Sequence, residues 1–223
     1  MADIGAREID AIWCLGDIVG YGPAPNECCA SVQERADLCL VGNHDLAVLG
    51  SVDVADFNLE AALATTWTQK TLGAEARAFL EGLEPAGRAE GAELFHASPV
   101  DPVWDYVLTA EGALASLQRT TELLVLVGHS HVPLAISFDG EEVAGGVAPG
   151  GSERDLSAGR WLLNPGSVGQ PRDGDPRAAY LLLDLGKRRA EFIRIEYPIE
   201  RTQEAMRAHG LPKGLAERLA HGL

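Results

Sequence analysis

Four short stretches of the chain each end an apolar run on metal-binding residue types: CLGD (14–17), LVGNHD (40–45), LFH (94–96) and LVGHSH (126–131). Four of the six histidines, His44, His96, His129 and His131, fall inside them beside Asp17 and Asn43. In three of the four stretches a glycine directly precedes the first candidate ligand. One carboxylate, one amide oxygen and imidazoles, with no thiolate, suit Mn, Fe, Zn, Co or Ni better than Ca or Mg. An ion in such a set polarises a phosphoryl oxygen and brings the pKa of a bound water toward ~7, so that hydroxide is available at neutral pH. The chemistry implied is hydrolysis.

In open α/β sheets a site forms beyond the carboxyl ends of the strands, and Asp17, Asn43, His96 and His129 all fall at such ends. Glycine at 16, 42 and 128 lets the backbone turn sharply there and removes a side chain where loops crowd around a small ion. In Gly42-Asn43-His44-Asp45, consecutive residues of a tight loop point different ways, so Asn43 and His44 receive different roles. Asn43 is the ligand. His44, held by the Asp45 carboxylate, stays cationic and either stabilises transition-state charge or protonates a leaving oxygen.

Taken singly, each residue has an ordinary reading: a cap for Asp17, a turn former for Asn43, a loop for each Gly-x-His, a satisfied buried histidine for His96. The conjunction of four at equivalent strand ends is what carries the metal reading. His209 and His221 are expected to be solvated on polar C-terminal helices, and Tyr21, in the GDIVGYGP loop, either faces substrate or, as the favoured reading, does not. The turn Asn164-Pro165-Gly166-Ser167 either approaches the site or is only a turn.

The elements that must position these residues are strand-sized apolar runs at 11–15, 37–41, 92–95, 123–127, 134–138, 160–163, 178–185 and 190–197. Helices are expected at 25–35, where Pro25 suits a first turn, at 57–82 with a break near Gly73, and at 110–119. From about 134 the strands follow one another through Gly, Asp and Pro turns, which predicts antiparallel pairing. The expected class is therefore α/β (α+β), two packed sheets flanked by helices within a single domain over 1–223, ending in a helical tail at 198–223.

Composition narrows the rest. A chain of 223 residues with 46% hydrophobic content buries a substantial core, and its longest apolar runs are strand-sized, short of the roughly 20 residues a membrane span needs. A net charge of −15 lacks the basic face that non-specific nucleic-acid binding requires, and an anionic substrate would need local compensation. Cys14, Cys28, Cys29 and Cys39 read as reduced small hydrophobes, which with the absence of a leader pattern places the protein in the cytoplasm.

The segments GDIVGYGP (16–23), GNHD (42–45), FHASP (95–99), GHSH (128–131) and NPGSVGQPR (164–172) resemble, in order and spacing, the calcineurin-like metallophosphoesterases, most closely their compact bacterial and archaeal phosphodiesterase branch. The likeness covers roughly residues 8–197. It implies a β-sandwich flanked by helices with a two-metal site at its loop edge, manganese being one candidate ion. By this resemblance Asp17 bridges both ions, Asn43, His96 and His129 complete one shell, His131 belongs to the other, and His44 stabilises the transition state.

The family opens with a strand ending in Asp-x-His, and residues 1–223 contain no such motif. Asp3 precedes glycine and lies too close to Asp17 to replace it, so it is expected to be an exposed helical carboxylate. The first strand and helix of the fold are accordingly expected to lie upstream of Met1, leaving one full shell and a second with Asp17 and His131 alone. The expected function is hydrolysis of a small-molecule phosphodiester or phosphomonoester, impaired in this form. A non-catalytic one-metal or nucleotide-binding module on the same fold is the rival.

Overall fold

The structure, a computed structural model, describes residues 2–223. A short helix α1 (Ala2–Gly5) precedes strand β1 (Trp13–Cys14), helix α2 (Pro25–Arg35), strand β2 (Leu38–Cys39) and helix α3 (Asn43–Leu49). After a 3-10 turn (Val54–Asp56) come helices α4 (Leu59–Thr71) and α5 (Ala74–Glu81), strands β3 (Ala86–Ala89) and β4 (Ala92–Phe95), helix α6 (Ala110–Gln118) and strand β5 (Leu124–Val127). Strands β6 (Leu134–Phe138), β7 (Val143–Val147), β8 (Glu153–Asp155), β9 (Arg160–Asn164), β10 (Ala178–Asp184) and β11 (Arg189–Ile195) follow, and helices α7 (Ile199–Ala208) and α8 (Lys213–Arg218) end the chain.

Local chemistry sets several of these boundaries. Pro25 opens α2, where its missing N–H costs nothing. The Asn58 side chain accepts the Ala61 N–H at 3.0 Å to cap α4, and Thr109 does the same for α6 through the Gly112 N–H at 3.2 Å. Gly73 separates α4 from α5, where the sequence predicts the break. Residues 43–45, expected as a tight loop, instead open α3.

The strands form a six-stranded sheet in the order β3-β4-β5-β9-β6-β7, a three-stranded sheet β10-β11-β8, and the pair β1-β2. β1 runs parallel to β2, β4 to β5, and β5 to β9. β6 is antiparallel to both β7 and β9, and β10-β11-β8 is antiparallel throughout. The antiparallel second half is thus as expected, except that β9 returns alongside β5 in parallel.

Alternation along β5 shows how the layers pack. Leu124 and Leu126 face a core shared with Leu40, Leu94, Leu163 and Phe192, the last from β11 of the smaller sheet. Val125 and Val127 point the other way, against Ala113 and Leu117 of α6. Each such fully buried aliphatic side chain contributes about 1.5–3 kcal/mol relative to exposure. α2, α3 and α5 share a third cluster with Val19, and the tail helices α7 and α8 pack on α4 through Met206, Leu211 and Leu215. Two packed sheets flanked by helices is the observed architecture. All four cysteines are free.

Candidate metal centre

Parallel pairing brings the candidate residues to one edge. Cys14 is in register with Cys39, and Phe95 with Val127, so the loops leaving β1, β2, β4 and β5 emerge on the same sides of their pairs. The Gly128 N–H donates to the His96 carbonyl at 2.8 Å, and the Leu40 N–H to the Cys14 carbonyl at 2.9 Å, which fixes these loops to one another.

At this edge Asp17 is central. One of its carboxylate oxygens lies 3.5 Å from His96 Nε2 and accepts the His44 backbone N–H at 3.0 Å, while the other lies 3.8 Å from His131 Nε2. Asn43 Oδ1 stands 3.3 Å from His96 Nε2. One donor atom each from Asp17, His96 and His129 falls within 4.8 Å of the others. The structure therefore brings Asp17, Asn43, His96, His129 and His131 together.

Two backbone carbonyls orient the rings. His96 Nδ1 is 2.7 Å from the Leu15 carbonyl and His131 Nδ1 is 2.8 Å from the Gln170 carbonyl. A carbonyl only accepts, so each Nδ1 carries a proton and each Nε2 is the nitrogen turned toward Asp17, free to ligate from the neutral ring. His129 is 5% exposed, and neither ring nitrogen has a partner among the described residues. Two orphaned polar atoms in a buried ring are costly unless something binds there.

The backbone carries the same mark. Asp17, His129 and His131 adopt left-handed conformations with φ of 54°, 58° and 59°, a region that side-chain-bearing residues rarely occupy and that strain concentrates at functional sites. Gly16, at φ 90°, supplies the turn into Asp17, and a Cβ on it would come within 2.7 Å of the Gly42 nitrogen.

Burial raises the Asp17 carboxyl, but the neighbouring imidazoles of His96, His131 and His44 outweigh it and hold the group below the ordinary carboxylate range. Burial, followed by the nearby His96, pushes His129 down to about 4. Burial likewise lowers His131 despite the nearby Asp17 carboxylate. An anionic carboxylate facing neutral imidazoles with free nitrogens is the protonation state a metal ion needs, and a transition-metal ion fits this donor set.

His44 departs from expectation. The Asp45 carboxylate does not hold the His44 ring. Its oxygens accept the Val19 N–H at 3.0 Å and the Gly42 N–H at 2.9 Å, so Asp45 shapes the loop entering α3. Burial and the adjacent Asp17 raise its carboxyl, against the pull of those two N–H groups. The His44 ring is instead clasped by Tyr21 and Phe57, at centroid distances of 4.2 and 4.6 Å, with Nδ1 buried and unpartnered among the described residues. Burial lowers its pKa to about 4, so the free protein holds His44 neutral, where the sequence reading made it cationic.

Other residues separate from this edge or join it unannounced. His209 and His221 are both exposed, as expected, with the His209 ring tilted against Trp67 at 5.2 Å. Asp3 bonds Tyr180 and Arg7, apart from the cluster. Asn164 donates to the Gly128 carbonyl at 2.7 Å and to Ser130 at 3.0 Å, bracing the loop that carries His129 and His131. Tyr21, Tyr106 (stacked on His129 at 3.9 Å), Arg172 and Arg218 border the site. Of these, Arg172 had a signal, as the last residue of NPGSVGQPR; Arg218 had none.

Comparison with known proteins gives the family and the fold. Residues 1–188 match the calcineurin-like phosphoesterase superfamily domain. An uncharacterized protein of Methanocaldococcus jannaschii is 37% identical over 225 residues, covering 99% of this chain and 90% of that protein. The crystal structure of a metallophosphoesterase from Sphaerobacter thermophilus superposes with a TM-score of 0.90 at 42% identity, covering 100% of this chain and 92% of the other. A hypothetical protein from Pyrococcus horikoshii OT3 shares the fold at a TM-score of 0.78 and 20% identity, covering 99% and 88%. With Asp17, His96 and His129 converging at the edge of a two-sheet sandwich, the chain belongs to the calcineurin-like phosphoesterase superfamily.

Proposed function

We propose that this chain is a metal-dependent phosphoesterase acting on a small-molecule phosphodiester or phosphomonoester. The observation that carries the reading is the buried His129 ring, both nitrogens unpartnered, beside the Asp17 carboxylate and His96 Nε2. Asp17, Asn43, His96 and His129 would hold one divalent ion, and Asp17 with His131 would begin a second shell. A bound ion of the Mn, Fe, Zn, Co or Ni type supplies Lewis acidity toward a phosphoryl oxygen and a hydroxide nucleophile at neutral pH.

The chain's own residues do the rest. Asp17 keeps its position through the His44 N–H, and the Leu15 and Gln170 carbonyls keep the His96 and His131 rings aimed inward. An arriving phosphate's negative charge raises His44 from about 4, opposing its burial, so that His44 can donate a hydrogen bond or a proton to the leaving oxygen. Asp45 acts one step away, by fixing Gly42 and Val19 around that ring. The net charge of −15 and the four free cysteines fit a cytoplasmic enzyme that does not bind nucleic-acid backbones. Among the described residues no helix is long and apolar enough to cross a membrane.

Bis(p-nitrophenyl) phosphate and p-nitrophenyl phosphate, offered with each of the five metals, test the reading. Turnover of at least one ester is expected, abolished by chelation and reduced about a hundredfold or more in His129→Ala, as for loss of a direct ligand. A rival reading has its own support: among the described residues the second shell holds only Asp17 and His131. Tight binding of one ion with no turnover under any metal would establish that rival, a one-metal binding module.

A further inference from the structure

Six of the fifteen arginines of this acidic chain have a carboxylate within 4.0 Å among the described residues, as Arg7 has Asp3, Arg88 has Glu93, Arg177 has Asp175 and Arg194 has Asp173. Arg172 and Arg218 have none within 4.0 Å among the described residues, and they stand side by side at the border of the metal centre. The Arg172 guanidinium donates to Gln170 Oε1 at 2.8 Å and approaches the Tyr21 hydroxyl at 3.4 Å. Arg218, brought in by α8, donates to the same Gln170 oxygen and lies 4.9 Å from the Tyr21 ring centroid. Glu60, the acidic residue felt by Arg218, is beyond ion-pair distance and accepts the Gly214 N–H at 3.1 Å.

Two guanidinium groups on one neutral amide oxygen repel each other with nothing anionic between them. Arginine can serve structure alone, as Arg160 does by donating to the Leu117, Thr120 and Glu122 carbonyls. The pair differs, because donors are left over: Arg218 Nε and Gln170 Nε2 are buried without a partner among the described residues, in a glutamine only 5% exposed. Forked donors with unspent N–H groups and uncompensated charge are what phosphate oxygens take.

The pair is next to the catalytic edge and one ring away from it. His131 turns Nε2 toward Asp17 and Nδ1 toward the Gln170 carbonyl, and the Tyr21 ring stands between the arginines and His44. A group held by the pair is therefore distinct from the group held at Asp17. Building on the phosphoesterase reading, we propose that Arg172 and Arg218 form a second anion subsite that receives a phosphoryl group remote from the one hydrolysed, making organic diphosphates and bisphosphates the preferred substrate class. Arg218 lies beyond the residues 1–188 that match the family domain, whereas Arg172 lies within them.

Calorimetric titration of the Mn-loaded chain with propylphosphonate and with 1,3-propylenediphosphonate tests the subsite with stable ligands that share a three-carbon chain and differ by the second phosphonate. The diphosphonate is expected to bind about tenfold or more tightly, the gain of one charge-assisted contact set. In Arg172→Gln and Arg218→Gln the preference should fall to about threefold or less, while Arg218→Lys keeps part of it and Arg177→Gln, at a remote ion pair, keeps all of it. Equal affinity of the two ligands for the unsubstituted chain overturns the proposal without reference to any variant's folding. So does a preference that survives the double Gln variant. Hydrolysis of bis(p-nitrophenyl) phosphate by the same preparation separates the two readings: turnover without diphosphonate preference sinks the subsite alone, and preference without turnover sinks the enzyme reading alone.

Discussion

A Cβ at Gly42 would lie 2.1 Å from an Asp17 carboxylate oxygen and 2.6 Å from His96 Cε1, whereas at Gly128 the nearest atom is the His96 carbonyl oxygen at 3.1 Å. The two glycines look equivalent in the sequence, each standing before a candidate ligand, yet only the first occupies space that the ligands themselves need. Gly42 has φ −103°, so its requirement is steric and not conformational. Gly42→Ala is therefore expected to displace Asp17, lower manganese affinity about tenfold or more and destabilise the fold by about 1–3 kcal/mol through overpacking. Gly128→Ala asks its neighbours for a few tenths of an ångström and should change affinity about threefold at most. Calorimetry with manganese and thermal melts of both variants check the contrast; equal losses would rule out a ligand-specific steric role for Gly42.

At the scale of elements, Glu93 on β4 ties the strand that precedes His96 to the connection entering β5, through the Thr121 N–H at 2.7 Å and the Glu122 N–H at 3.1 Å, with Arg88 at 3.0 Å outside. Burial raises its carboxyl, but these donors prevail and hold it below the ordinary value of 4.5. Because the folded value is the lower one, the stabilisation is complete above about 4.5 and is lost as pH falls through the folded value. Glu93→Gln should cost about 1–3 kcal/mol at pH 7 and show a flatter loss of stability on acidification than the unsubstituted chain; parallel acid limbs in urea melts would refute the assignment. β4 itself was legible because AELF is a short apolar run ending on a ligand, and the same holds for β5 and its LVLV. β3, β7 and β8 were not, since AGRA, VAGGV and ERD have no apolar run and are strands only because β4, β6 and β11 pair with them. GNHD read as a turn because nothing apolar recurs before Leu46, so the start of α3 was hidden. The ligands announced themselves by standing at strand ends; Arg218 sits in an ordinary polar helix, and only the packing of α7 and α8 on α4 brings it to Tyr21.

Across the whole molecule, the candidate ligands join parts that share little backbone pairing. Asp17 and Asn43 follow β1 and β2, a pair only two residues long on each side, while His96, His129 and His131 follow strands of the six-stranded sheet. An ion bound by Asp17, Asn43, His96 and His129 would clamp the first unit to the second and give a partner to one of the two orphaned nitrogens of His129. Such an ion binds the folded state alone, so its binding energy appears in global stability: at a hundred times Kd the gain is about 2.7 kcal/mol. For a domain of this size each kcal/mol moves Tm by about 2–4 °C. Saturating manganese should therefore raise Tm by about 5–10 °C, and chelation should reverse it. The variants locate the clamp, since His129→Ala should remove nearly all of the shift. His131→Ala, which leaves the four-ligand shell whole, should keep most of it, with about one ion per chain by elemental analysis. If the His131 variant instead lost the shift as completely as the His129 variant, His131 would have to be placed in the same shell, and the division of the edge into one full set of ligands and one partial set would fail.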